Sequence, residues 1–215
     1  MRIKDLATLE RLLAQKRADA AGGTVLQRLR TPQPDGCGPT TPAAPQQRII
    51  GLDVALRCTG WGIIDVRRTP FRMSAVDCGI VRNEAKLPLS ACLRNLAAAI
   101  RDLSAQYHPD LAVIEGGFYC KNVRTATVLG SARGAVIAML ADADIPVFEY
   151  APRKIKQTIC GFGNASKQQV ALLVAQFLDI QVSSISNDAT DALAMALTHA
   201  QLTSGAGALQ PPAPL

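Results

Sequence analysis

Histidines and paired cysteines are scarce in this chain of 215 residues, which argues against two common kinds of site. It has two histidines and six cysteines, and no two cysteines form a C-x-x-C pair. Zinc sites usually contain clustered Cys and His ligands, and disulfide-stabilised domains usually contain many regularly spaced cysteines. We therefore interpret the cysteines as reduced, small apolar residues of a cytoplasmic protein. They are Cys37, Cys58, Cys78, Cys92, Cys120 and Cys160.

Long uncharged apolar runs are also lacking, although 48% of the residues are hydrophobic. No run approaches the roughly 20 residues that span a bilayer. Asp5 and Glu10 lie where the apolar centre of a signal peptide would have to be. We expect a soluble protein with no membrane partner. The formal charge of +6 is a weak indication of a polyanionic partner.

The composition changes near residue 47 and divides the chain into three parts. Residues 1–47 contain leucines at helical spacing, a stop at Gly22 and Gly23, and then a stretch rich in Pro and Gly. We interpret 1–47 as an N-terminal extension made of a short helix and a flexible linker, either a partner-docking helix or a dispensable tail. Residues 48–204 have the regular pattern of one folded domain, and 205–215 are predicted to be a disordered tail.

From residue 48 onwards, the apolar pattern predicts an α/β fold with a mixed five-stranded sheet flanked by helices. Three strands come first, close enough in sequence to pair antiparallel, and helices and strands then alternate. Helices are predicted over 89–103, 125–143 and about 188–201, and Ser166 with Gln169 forms a capping box that starts another helix. The predicted strands lie in the segments RIIGLDVAL, WGIIDV, SAVDCGIV, LAVIEGGF and PVFEY.

Four carboxylates occupy positions where a lone charge would be costly. Asp53 ends one predicted buried strand and Glu115 interrupts another. Asp188 and Asp191 lie three residues apart at the start of a helix, and therefore on one face. An unpaired ionised carboxylate in an apolar environment costs several kcal/mol. Singly, Asp53 could accept an internal hydrogen bond, and Asp188 could simply interact with the helix dipole.

Taken together, four acids without an obvious basic partner indicate a cation site. Oxygen ligands without a Cys or His cluster favour Mg²⁺ or Mn²⁺. Two such ions about 3.5–4 Å apart suit phosphodiester hydrolysis, one activating water and the other stabilising the leaving oxygen. The sequence therefore predicts a nuclease centre with two Mg²⁺ ions, for which Mn²⁺ could substitute, on condition that the four side chains converge.

Four segments carry a more specific pattern, and at these segments the chain resembles the RuvC family of Holliday-junction resolvases over most of residues 48–202. The resemblance implies an RNase H-like fold and a Mg²⁺-dependent endonuclease that cuts four-way DNA junctions in recombination and repair. It further implies a homodimer that cuts symmetric strands and works with a branch-migration helicase. The segments are RIIGLDVALRCTGWGIID, AVIEGGFYCKNVRTATVLGSARG, PVFEYAPRKIKQTICGFGNASKQQV and NDATDALAMALTHA.

The resemblance also implies roles for individual residues. The four acids match the family's metal-binding acids, and Lys156 and Lys167 match basic residues near the scissile phosphate. Phe118 matches an aromatic residue that stacks at the open centre of the junction, where stacking on a base contributes roughly 1–3 kcal/mol. We assign further DNA contacts to the surrounding residues Tyr119, Lys121, Arg124 and Arg133.

Several of these residues have simpler alternatives. Lys167 could be a solvated lysine in the first turn of a helix, Phe118 and Tyr119 could close the core, and Arg133 could be structural. The chain also departs from the family after Asp53, where Val54 and Ala55 replace the usual Pro-Gly.

Two other functions are compatible with parts of the pattern. GLDVALRCTGWG alone would suit an actin-like ATPase or sugar kinase, although such proteins need two related domains. A junction-binding protein without catalysis is the second, and the presence of all four acids argues against it.

Overall fold

The computed structural model describes residues 46–116, 122–181, 185–203 and 211–215. Nearly all of the N-terminal extension therefore lies outside the described residues. Gln46 and Gln47, which the sequence assigned to that extension, instead begin the first strand of the folded domain.

The described strands form one five-stranded sheet in the order β3-β2-β1-β4-β5. β1 pairs antiparallel with β2, and β2 with β3, whereas β4 runs parallel to β1 and β5 runs parallel to β4. The predicted mixed sheet, three antiparallel strands followed by parallel ones, is confirmed. The strands are β1 (Gln46–Asp53), β2 (Cys58–Arg68), β3 (Phe71–Arg82), β4 (Leu111–Glu115) and β5 (Val147–Tyr150).

Helices cover both faces of the sheet. Three of them agree with the predicted helices to within a few residues, and the capping box of Ser166 and Gln169 is present at the start of α4. The helices are α1 (Leu89–Tyr107), α2 (Val123–Asp142), α3 (Pro152–Cys160), α4 (Lys167–Leu178) and α5 (Asn187–Thr203).

Helix α3 was not predicted from the sequence. Pro152 occupies its first turn, where a missing N–H costs nothing, and Gly161 ends it in the left-handed region at φ 84°. Ile155 and Ile159, one helical turn apart, are buried in the apolar cluster that α3 shares with α4 and α5. This short helix carries Lys156 towards the edge of the sheet at which the acids lie.

Two apolar layers hold the helices to the sheet. On one face, Ile49 and Val113 pack against α3, α4 and α5 through residues such as Leu197. On the other face, Ile50 and Ile114 pack against α1 and α2. Strands with both faces covered read as continuous apolar runs, which explains why β1 and β4 lack alternation.

Helix α5 lies unusually close to the middle of the sheet. A Cβ atom added at Gly51 would stand 1.9 Å from the carbonyl oxygen of Ala192, and one at Gly60 would stand 2.0 Å from that of Asp188. Glycine is therefore required at both positions, since any side chain would displace the helix. The close approach brings the start of α5 directly against β2.

Helix α2 is the one helix of the described chain that is long and apolar enough to cross a membrane, by length and composition only. The apolar pattern of the sequence did not predict such a helix. Ala132, Val136 and Leu140 of α2 pack on the sheet, and Arg133 in its middle forms an ion pair with Glu149. These contacts are typical of an outer helix in a layered α/β domain.

The C-terminal residues 211–215 have no regular secondary structure, within a segment predicted to be a disordered tail. The backbone N–H of Leu215 donates a hydrogen bond of 2.9 Å to the carbonyl of Val147, at the start of β5. Since β5 is an edge strand, this contact satisfies one acceptor that the sheet itself leaves unpaired.

Candidate active site

The carboxyl ends of β1 and β4 bring two of the four acids together. The strands are parallel neighbours with Leu52 opposite Ile114, so that Asp53 and Glu115 are the next residues of the two strands at the same edge. Gly60 of β2 lies directly opposite Asp53 and is also the residue on which the backbone of Asp188 rests. The first turns of α5 therefore face the ends of both strands.

An open cavity of about 240 Å³ lies between these elements. Asp53, Glu115 and Asp191 line it together with Lys156 and Lys167. Apolar residues of α3, α4 and α5 complete its wall. Three acids and two lysines that are distant in sequence thus share one concave surface at the end of the sheet.

The acids act on one another electrostatically. Burial raises the pKa of Asp53 to about 7, together with the negative charges of Asp191, Glu115 and Asp188, while Lys167 opposes the rise. Burial and the charge of Asp191 also raise the pKa of Glu115, against Lys167 and Lys156. Asp53 thus lies close enough to the other three acids for their charges to disfavour its ionised form.

Lys167 partly compensates this charge. Its Nζ donates a hydrogen bond of 2.9 Å to Oδ2 of Asp191, and this bond is the main reason that the pKa of Lys167 is raised. A lysine in the first turn of a helix is unfavourable for the helix dipole, and the pairing with Asp191 offsets that cost. The Lys167 side chain is nevertheless 71% exposed, so that it remains accessible from the cavity.

Asp188 has a different partner, which the sequence analysis missed. The thiol of Cys58, the first residue of β2, donates to Oδ2 of Asp188 at 2.9 Å. Burial, this hydrogen bond and the charge of Asp188 raise the pKa of Cys58 to about 11, against the influence of Arg82. The thiol therefore stays protonated near neutral pH and remains a donor.

Arg133 also lies beside the acids. Its Nη1 donates a hydrogen bond of 2.6 Å to the backbone carbonyl of Glu115, and its guanidinium forms an ion pair with Glu149. The side chain is 14% exposed. This geometry favours the structural alternative for Arg133, since both of its interactions hold the end of β4 within the protein.

The remaining predicted DNA contacts fall near the start of α2. Arg124 is exposed in the first turn of that helix, where the side chain of Asn122 caps the backbone N–H groups of Arg124 and Thr125. Phe118, Tyr119 and Lys121 lie outside the described residues.

Comparison with known proteins gives the site a family context. A family model described as Crossover junction endodeoxyribonuclease RuvC matches residues 49–199. The crossover junction endodeoxyribonuclease RuvC of Roseiflexus sp. (strain RS-1) is 40% identical over 152 residues, which cover 71% of this chain and 89% of that relative. The chain belongs to the RuvC family.

Solved RuvC structures share the fold. The Thermus thermophilus RuvC structure aligns with a TM-score of 0.69 and 26% identity, covering 79% of this chain and 100% of that one. T. thermophilus RuvC in complex with Holliday junction substrate aligns with the same TM-score and coverage at 24% identity. The predicted RNase H-like fold and the predicted endodeoxyribonuclease activity are therefore confirmed. This removes the two alternatives raised by the sequence, an ATPase or sugar kinase and a junction-binding protein without catalysis.

RuvC proteins are divalent-metal-dependent nucleases, and the cavity suits a hard cation. Its acidic donors are all carboxylates. Burial and then the charges of the other acids raise the pKa of Asp53 to about 7, and a bound divalent ion would relieve the repulsion among these charges. Within the described ranges, no three His, Cys, Asp or Glu side chains already stand together as ligands of one ion. Three of the acids thus line the cavity, with Asp191 turned to Lys167. Asp188 is not among the lining residues and is turned to Cys58.

Proposed function

We propose that the cavity at the ends of β1 and β4 is where this RuvC-family chain hydrolyses one phosphodiester bond of a four-way DNA junction. The metal-binding acids are Asp53, Glu115, Asp188 and Asp191. The observation that carries this proposal is that Asp53, Glu115 and Asp191 share one cavity with Lys156 and Lys167. Asp188 lies near enough for its charge to help raise the pKa of Asp53, after burial and the charges of Asp191 and Glu115.

The proposed cofactor is Mg²⁺, with two ions in each site and Mn²⁺ as a substitute. Bound divalent ions supply Lewis acidity and a water molecule of lowered pKa. The chain itself supplies the four carboxylates, fixed on two strand ends and one helix, and excludes bulk water from one side of the cavity through Ile155, Val170 and Met195.

The lysines act on the phosphate. Lys167 carries a positive charge at neutral pH, as lysines ordinarily do, and its hydrogen bond to Asp191 raises its pKa further. A fixed cation beside the reacting phosphate stabilises the negative charge that develops on the phosphoryl oxygens during in-line attack. Lys156, which lines the same cavity, is assigned the same role.

Four-way junction DNA is the proposed substrate, as for T. thermophilus RuvC, whose structure has been solved with a Holliday junction. Arg124, exposed at the start of α2, is proposed as a backbone contact, together with Phe118, Tyr119 and Lys121 in the segment that leads from Glu115 to α2. Arg133 is assigned to support of the end of β4, because its guanidinium is engaged with Glu115 and Glu149.

A homodimer is part of the proposal. Gly130 and Gly134 lie one turn apart on α2, and a Cβ atom added at either would meet nothing within 4 Å. Such a face allows the backbone of a second helix to come close, and a two-fold assembly suits a substrate with two symmetric strands to cut. The proposal also includes a cytoplasmic location and a branch-migration helicase as partner. Residues 1–47 are proposed to be either a partner-docking helix or a tail.

The test is cleavage of a labelled synthetic four-way junction beside a linear duplex, with and without Mg²⁺. We expect paired nicks in the junction only when Mg²⁺ is present. The variant Asp188→Asn should lose cutting while it retains junction binding measured in Ca²⁺. Junction cleavage by this variant at the wild-type rate would refute the role assigned to Asp188.

A further inference from the structure

The two acids of α5 are held by chemically different partners. Asp191 accepts from the charged ammonium of Lys167, and Asp188 accepts from the neutral thiol of Cys58, in both cases at 2.9 Å and through Oδ2. Cys58 and Asp188 are 130 residues apart in sequence, so that only the packing of α5 on β2 brings them together.

The backbone of Asp188 is already fixed without the thiol. Its carbonyl oxygen rests against Gly60 so closely that an added Cβ would stand 2.0 Å away. What the packing leaves open is the side-chain rotamer, since the two χ angles of an aspartate have several staggered positions. The hydrogen bond from Cys58 restricts those angles by engaging one of the two carboxylate oxygens.

The neutrality of the donor matters for a metal-binding acid. A lysine or arginine partner neutralises part of the negative charge of the carboxylate, which would otherwise attract the metal ion. A thiol orients the carboxylate and adds no charge. Arg82, the direct cross-strand neighbour of Cys58 on β3, acts on the thiol through its charge and a side-chain hydrogen bond, and both lower the pKa of Cys58.

We propose that Cys58 is a positioning residue for Asp188: its thiol holds one carboxylate oxygen and thereby sets the orientation in which Asp188 binds a divalent cation. This inference rests on the metal-binding role proposed above. Partners of this kind, which orient a metal ligand without touching the ion, typically change metal affinity or activity by about 10–100-fold when they are removed.

The experiment measures Mn²⁺ binding to the full chain without DNA, by electron paramagnetic resonance of the free ion. Cys58→Val and Cys58→Ala remove the donor, and Cys58→Ser keeps it. We expect the first two to bind Mn²⁺ about 10-fold more weakly and Cys58→Ser to stay within about 3-fold of the wild type. Cys160→Ala, a half-buried thiol on α3, is the matched control and should bind as the wild type does.

A second readout is the Mg²⁺ dependence of junction cleavage. For Cys58→Val, the Mg²⁺ concentration at half-maximal rate should rise by the same factor as the Mn²⁺ dissociation constant, while the rate at saturating Mg²⁺ falls by less than about 2-fold. A purely structural role would instead lower the melting temperature in EDTA. If Cys58→Val does not fold, Cys58→Ala, which adds no bulk, carries the same expectation.

The outcomes separate the two proposals. Unchanged Mn²⁺ affinity in Cys58→Val and Cys58→Ala would overturn the role of Cys58. The role would also be overturned if Cys58→Val weakened Mn²⁺ binding in the Asp188→Asn variant by the same factor as in the wild type. If the wild type and Asp188→Asn bind Mn²⁺ equally, the metal-binding role of Asp188 itself fails, and the inference fails with it.

Discussion

The charge on Asp53 should make the metal-free protein less stable at alkaline pH. Asp53 has its pKa raised from 3.8 to about 7, first by burial and then by the charges of Asp191, Glu115 and Asp188. In the unfolded chain this group loses its proton near pH 4, whereas in the folded chain it keeps the proton until about pH 7. The unfolded state therefore binds fewer protons over this interval, and the free energy of unfolding falls as the pH rises from about 4 to 7.

The size of the effect follows from the same values. At about 1.4 kcal/mol per pKa unit, the rise corresponds to about 4 kcal/mol as an upper bound. Part of this is lost because Asp53 is partly exposed and its neighbours can move, and we expect about 2 kcal/mol to be measured. In a domain of this size, 1 kcal/mol shifts the melting temperature by about 2–4 °C. The variant Asp53→Asn should thus melt about 4–8 °C above the wild type at pH 8 in EDTA.

The assay is thermal unfolding followed by circular dichroism between pH 4 and 8.5, with EDTA and then with Mg²⁺. The advantage of Asp53→Asn should fall to a small fraction near pH 4, where the wild-type carboxyl is protonated in the folded state and about half protonated in the unfolded state. Mg²⁺ should stabilise the wild type more than the variant. Asp102→Asn, at an exposed position on α1, serves as control and should change stability by less than about 0.5 kcal/mol. A variant Asp53→Asn that is no more stable than the wild type at pH 8 would refute the reasoning.

Three further predictions concern the support of the site. Gly60→Ala should lower the melting temperature and abolish junction cleavage, because its Cβ would stand 2.0 Å from the carbonyl of Asp188; wild-type cleavage would show that α5 can move. Arg133→Gln should lower the free energy of unfolding by about 1–3 kcal/mol in denaturant titrations, since Glu149 loses its ion-pair partner. A salt-sensitive loss of junction affinity with an unchanged free energy of unfolding would instead indicate that Arg133 contacts DNA. Ser166→Ala should cost about 1 kcal/mol in the same titration because the capping box at α4 is lost, and a change below about 0.3 kcal/mol would contradict this.

The mixed sheet, with three antiparallel strands followed by parallel ones, was predictable from the sequence. Apolar runs marked β1 and β4 as strands covered on both faces, and the positions of Asp53 and Glu115 at the ends of those runs followed from the sequence alone. That β1 and β4 are parallel neighbours, and so bring the two acids to one edge, was a condition of the predicted site and is seen only in the fold.

Other parts of the site were not predictable, for physical reasons. Helix α3 has nine residues, and its two buried isoleucines are too few to establish a period among its lysines. Cys58 was interpreted as a small apolar residue, because the pattern around it holds no trace of a partner 130 residues away. The engagement of Arg133 with Glu115 and Glu149 likewise depends on how α2 crosses the sheet.

The glycines beneath α5 have a consequence for how the centre can adapt to a substrate. Since the helix backbone rests on β1 and β2 at Gly51 and Gly60 with no side chains between, the acidic side of the cavity is stiff and its spacing is set by main-chain contact. The lysines are easier to move, because Lys167 reaches the cavity from a largely exposed side chain. Accommodation of differently shaped DNA strands therefore falls to the lysines, while the acids serve as the fixed reference.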